Sequence, residues 1–76
     1  MKIEILGTGC AKCQSLAANA QAAADGLGVD YELVKVTDIV EITSRGVLMT
    51  PALVIDGDVR SMGKVLATDE IKRLLS

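Results

Sequence analysis

Phenylalanine, tryptophan and histidine are absent from this chain, and Tyr31 is its one aromatic residue. Half of the 76 residues are nevertheless hydrophobic, so a core has to be assembled from Val, Ile, Leu, Ala and Met. With a formal net charge of −2, acidic and basic residues interspersed and no basic stripe, nucleic-acid binding through stacking and phosphate contacts is excluded. A tetrahedral zinc site cannot be completed from thiolates and imidazoles, because the chain offers two cysteines and no histidine. No apolar run approaches the roughly 20 residues needed to cross a bilayer. The stretch Met1 to Leu6 carries Lys2 and Glu4 within its apolar run and reads as a strand, not a signal peptide. The expected compartment is therefore the cytoplasm, and a monomer is the expected state. At this length residues 1–76 make one small domain with a modest core.

What is present is a dithiol. Cys10-Ala11-Lys12-Cys13 follows the first apolar run and precedes an alanine-rich segment. A spacing of three along one helical turn brings both sulfurs within bonding distance, and the loop such a disulfide closes is too short to staple a fold. The pair therefore reads as a reversible redox couple rather than a structural bridge. Its members are unequal. Cys10 falls at the helix N-terminus, where unpaired N–H groups and the helix dipole favour a thiolate. Cys13 lies one turn in, on the face continuing into Leu16 and Ala17, and should be more buried with a normal or raised pKa. Cys10 is then the nucleophile that attacks a disulfide and Cys13 the resolving thiol. Lys12 either adds positive potential beside the thiolate or is simply solvated.

The pattern around the dithiol predicts βαβαββα. Lys2 to Leu6 forms a strand closed by Gly7-Thr8-Gly9. A helix begins at Cys10, with Cys13, Leu16, Ala17, Ala20, Ala24 and Leu27 on one face, and Gly26 and Gly28 ending it. Asp30 to Val36 reads as a second strand, placed parallel to the first by the helical crossover. In 38–46, Asp38 and Gly46 are good helix boundaries, whereas the β-branched Ile39, Val40, Ile42 and Thr43 weigh against a helix. Pro51 opens a third strand, Ala52 to Ile55. Asp56-Gly57 is a hairpin turn into Val59 to Met62. Thr68-Asp69-Glu70 starts a last helix, with Ile71, Leu74 and Leu75 as its apolar stripe and Lys72-Arg73 in its last turn.

CxxC after a first strand, followed at this separation by Thr50-Pro51, resembles the thioredoxin superfamily. More narrowly the chain is similar to the small redox-active disulfide proteins. Gly7-Thr8-Gly9-Cys10-Ala11-Lys12-Cys13, Thr50-Pro51, the Ile55-Asp56-Gly57 turn and the terminal helix carry the likeness over essentially the whole length. The resemblance implies an α/β, minimal thioredoxin-like fold with a four-stranded mixed sheet and three helices. It lacks the first strand and helix of full thioredoxin. It also implies a thiol–disulfide oxidoreductase whose redox group is the Cys10–Cys13 pair, with no added cofactor and no metal. Its partner would be a protein or small thiol, with a disulfide reductase as a possible electron donor. In that superfamily a cis-proline faces the dithiol and presents the preceding backbone to substrate, a role that would fall to Thr50 and Pro51; an ordinary trans proline opening an edge strand is the other reading. Thioredoxin also keeps a buried carboxylate six residues before the nucleophile. Glu4 stands there, either assisting Cys13 or as a partly exposed strand residue.

The chain departs from thioredoxin in carrying Gly9 where that protein has Trp, and Ala11-Lys12 in place of Gly-Pro, so an aromatic substrate platform is missing. Gly63 and Thr68-Asp69 only loosely match the glutathione-binding elements of glutaredoxins. Met49 and Met62 either rim the dithiol or fill the core, and Lys35 and Asp38 either sit near the active-site edge of the sheet or form a solvated pair. The main rival function is a soft-metal or arsenite-binding module using the two thiolates. Metal-chaperone domains of this size run βαββαβ, with Met two residues before the first Cys; here Thr8 holds that position and a helix ends the chain. A redox-sensing interaction module is a third reading.

Overall fold

The computed structural model of the chain describes residues 1–76. Its elements are β1 (Lys2–Leu6), α1 (Ala11–Leu27), β2 (Glu32–Val36), α2 (Ile39–Ser44), β3 (Ala52–Ile55), β4 (Asp58–Met62) and α3 (Thr68–Leu75), the expected βαβαββα order. The sheet is mixed, in the order β2-β1-β3-β4: β1 runs parallel to β2 and antiparallel to β3, and β3 is antiparallel to β4. Asp56 and Gly57, both at positive φ, make the two-residue β3–β4 turn.

Alternation along β1 divides the core in two. Ile3 and Ile5 point to the side covered by α1 and α3, where they meet Leu16, Leu53, Ile71 and Leu75. Four buried alanines of α1, Ala17, Ala20, Ala23 and Ala24, let α3 pack closely on it. The Asn19 side-chain amide ties α1 to the α3 approach by donating to the Leu66 carbonyl at 2.9 Å. Leu6 points to the other side and packs with Ile42, Val47, Ala52 and Val54 beneath α2.

Strands β2 and β4 begin at Glu32 and Asp58, where the sequence reading began them at Asp30 and Val59, and only one of the two glycines expected to end α1 does so. Helix α1 runs through Gly26 and stops at Gly28, which is left-handed; Gly28 N–H bonds to Asp25 O and Val29 N–H to Ala24 O, a Schellman stop. Gly26 instead provides clearance, since a Cβ there would press on the Lys72 side chain crossing from α3. Leu27, expected on the buried face, stands half exposed in the last turn of α1. The ambiguous segment 38–46 does form a helix despite its β-branched residues. The Asp38 carboxylate accepts from Val40 N–H at 2.9 Å, the Thr43 hydroxyl donates to Ile39 O, and Ile42 is buried.

Candidate active site

The turn after β1 and the first turn of α1 set the dithiol. Cys10 is the N-cap of α1 in extended conformation, its sulfur 3.4 Å from Cys13 N–H and 2.8 Å from Cys13 Sγ; both cysteines are free. Cys10 is exposed, whereas Cys13 is only 5% exposed. The Cys10 pKa is lowered, first by the hydrogen bond from the Cys13 thiol and then by the backbone N–H groups of the helix start, Cys13 and Lys12 among them. The Cys13 pKa is raised, first by burial and then by donating its proton to Cys10. The Lys12 side chain is exposed and makes no ion pair, so what Lys12 brings to Cys10 is its backbone N–H.

Two contacts that the sequence reading does not assign support this turn. Gly7 lies directly against Cys13: a Cβ there would collide with Cys13 Sγ and stand 3.8 Å from Pro51 Cα. Gly7 is therefore flanked by Cys13 and Pro51, and nothing larger than glycine fits between strand end and thiol. Gln14 donates its side-chain amide to Gly9 O at 3.1 Å, tying the loop to the helix. Glycine at the end of a strand and a polar residue just past a CxxC are common features, so neither carries a signal before the chain is folded.

The Thr50–Pro51 peptide is cis, with Pro51 buried and Thr50 exposed. Gly63 N–H donates to Pro51 O at 2.9 Å, joining this segment to the end of β4. Met49 lies on Gly63, where a Cβ would be 3.3 Å from its own Cβ. Met49 is 60% exposed and Leu48 88%, with Met62 also exposed opposite Ala52, so the two methionines sit at the surface beside Pro51 rather than in the core.

Glu4 is paired with Arg45 and not with either cysteine. It shares the α2 side of β1 with Leu6, opposite the side carrying Gly7 and Cys13, and its carboxylate is taken by Arg45: the guanidinium donates to both oxygens, at 3.0 and 2.7 Å. That pairing holds Glu4 below the usual carboxylate range although the residue is 3% exposed. Arg45, which also reaches Glu41, is the partner the sequence reading missed; 41 residues separate it from Glu4. Lys35 and Asp38 are not a pair either. Lys35 lies across from Ile5 and lines a cavity of about 100 Å³ beside Cys13, while Asp38 caps α2. Three or more Cys, Asp or Glu side chains are nowhere brought together as a metal cluster.

An exposed, acidified sulfur paired with a buried, proton-holding one, beside an exposed backbone at Thr50, suits exchange with an external disulfide. A family model described as a thioredoxin domain matches residues 1–76. A thioredoxin of Methanothermobacter thermautotrophicus is 45% identical over 76 residues, all of this chain and 99% of that protein. A thioredoxin of Methanocaldococcus jannaschii is 42% identical over 73 residues, 96% of this chain and 84% of that one. No helix is long and apolar enough to cross a membrane.

Proposed function

The chain belongs to the thioredoxin family and is a thiol–disulfide oxidoreductase, and we propose that it works by cycling Cys10 and Cys13 between dithiol and disulfide. The asymmetry of the two sulfurs carries this reading. The Cys10 thiolate attacks one sulfur of a substrate disulfide, forming a mixed disulfide and releasing the other sulfur as a thiolate, which takes a proton from solvent. Once Cys10 is bonded it no longer holds the Cys13 proton or carries a charge, so two of the three causes that raise Cys13 are removed and only burial remains. Cys13 then gives its proton to solvent or to the departing substrate sulfur and attacks Cys10 Sγ as a thiolate. The mixed disulfide breaks, the second substrate thiolate leaves, and the Cys10–Cys13 disulfide remains. The substrate has gained two electrons and the protein has lost them; a reductase or small thiol returns them. The redox group is the pair itself, with no added cofactor.

Thr50, on the exposed side of the cis bond, presents its backbone to the polypeptide carrying the substrate disulfide, and Pro51 packs behind Cys13 through Gly7. Leu48, Met49 and Met62 supply an apolar rim in place of the missing aromatic platform. The partner is a protein or small thiol, met by a monomer in the cytoplasm, where the dithiol starts reduced.

Redox titration with thiol trapping tests this: a single two-electron transition is expected at roughly −270 to −200 mV. Cys13→Ser is expected to accumulate a mixed disulfide at Cys10, and Cys10→Ser to give none. A pair that never oxidises, or is protected by bound metal or arsenite, would sink the reading in favour of a soft-metal module. Trapping through Cys13 would reverse the two roles.

A further inference from the structure

A groove of about 510 Å³ lies between β4 and α3, and three cations line it: Arg60 of β4, Lys64 of the following loop and Arg73 of α3. All three are exposed, and none has a carboxylate partner, since the ion pairs of this protein all belong to Arg45. The single acid in the lining, Glu70, is committed to capping α3, where its carboxylate accepts from Ala67 N–H at 3.1 Å. The chain is acidic overall, at −2, so this concentration of positive charge runs against its own average.

The backbone shapes the groove as well. Ile55 pairs with Asp58, Val54 with Val59 and Leu53 with Ser61, so Arg60 is the extra residue of a bulge, and Arg60 and Ser61 both reach the lining. The Ser61 hydroxyl oxygen is buried there without a hydrogen-bond partner. β4 is an edge strand with backbone groups open on its outer side. Met62, at the end of the groove, pairs with Ala52, and Gly63 bonds to Pro51, so the groove joins the substrate-facing segment beside the dithiol.

We propose that this groove is the docking surface for an acidic, extended polypeptide segment flanking the disulfide of the redox partner. The proposal rests on the exchange reading given above and adds the chemistry of the partner. A polypeptide is favoured because the cations are spread over three elements along an open strand edge that runs on into the Thr50–Pro51 segment. Charge complementarity of this kind acts on encounter and partner choice.

The test uses three disulfide-closed peptides that differ only in flanking Glu, Ser or Lys residues, reduced by the full chain in its dithiol form. The Glu peptide is expected to react about tenfold faster than the Ser peptide at low ionic strength, the Lys peptide slower, and the differences to vanish at high salt. In Arg60→Gln/Lys64→Gln/Arg73→Gln the Glu-to-Ser ratio is expected to fall to about one; chemistry at Cys10 cancels in that ratio. Lys2→Gln, which removes one cation outside the groove lining, and Lys64→Gln, which removes one within it, change net charge equally; only the second is expected to weaken the preference. Equal rates for all peptides, or a preference that survives the triple substitution, would overturn the proposal. So would a larger gain for glutathione disulfide, abolished by the same variant, which would place a small anionic thiol in the groove. Should no peptide be reduced, the exchange reading falls, and the groove is judged by titrating the Glu peptide with serines in place of its cysteines. Amide shifts at Arg60, Lys64 and Arg73 support the surface, and their absence overturns it.

Discussion

On one side of the sheet, Ile3, Ile5 and Leu53 meet the alanines of α1 and the apolar stripe of α3; on the other, Leu6, Ala52 and Val54 meet Ile42 of the short α2 and Val47 of the loop after it, and share their layer with the Glu4–Arg45 ion pair. The first side is closed by two helices packed on each other and carries Cys13. The second leaves Ile39 and Val40 exposed and engages Glu4 through a partly exposed guanidinium. The dithiol is thus mounted on the larger, wholly apolar core, and the one buried carboxylate lies on the other side, held by Arg45 away from the sulfurs. Depth of burial alone therefore does not identify a catalytic acid; the face of the strand decides what it can reach.

Substitutions can break or sharpen this contrast. Leu16→Ala, on the helix-covered side, is expected to cost about 3–4 kcal/mol, because the fully buried leucine leaves a cavity that α1 and the sheet cannot close. Ile42→Ala, under the thin cover of α2, should cost about 2 kcal/mol. Equal losses in denaturant unfolding would mean that the two sides are not different in kind.

Arg45→Met should destabilise the protein at neutral pH by leaving Glu4 buried and unpaired, read as a lower denaturant midpoint. The sign of its pH dependence follows from the lowered Glu4 pKa. A depressed folded-state carboxylate contributes stability above its unfolded value of roughly 4.3 and loses it as pH falls through the folded value. The gap between wild type and Arg45→Met should therefore narrow on acidification below that point. A constant gap would show that the guanidinium acts by packing and not by charge.

The smallest expected effect is the sharpest test of separation. Glu4→Gln should leave the pH midpoint of Cys10 alkylation unchanged, while Cys13→Ala should raise it, because the hydrogen bond from the Cys13 thiol is the leading cause of the lowered value. A midpoint that moves with Glu4→Gln would connect the two sides electrically.

Much of this molecule was written locally. The CxxC at a helix start, the 3.6-residue stripe through Cys13, Leu16, Ala17 and Ala20, strand Ala52–Ile55 and the Asp56-Gly57 turn depend on neighbours within a few residues, and periodicity and turn chemistry report such neighbours directly. The inequality of the two sulfurs followed from the same local frame: one position caps the helix, the other faces inward. What only the tertiary structure decided involves residues far apart in the chain. Arg45 claims Glu4 across 41 positions, α3 lays Lys72 over Gly26, Gly7 yields its side-chain space to Cys13, and Arg60, Lys64 and Arg73 come together from a bulged strand, a loop and a helix. Composition could count those charges and glycines, but their partners are set by which face of the sheet each element covers, and that is a property of the packed chain as a whole.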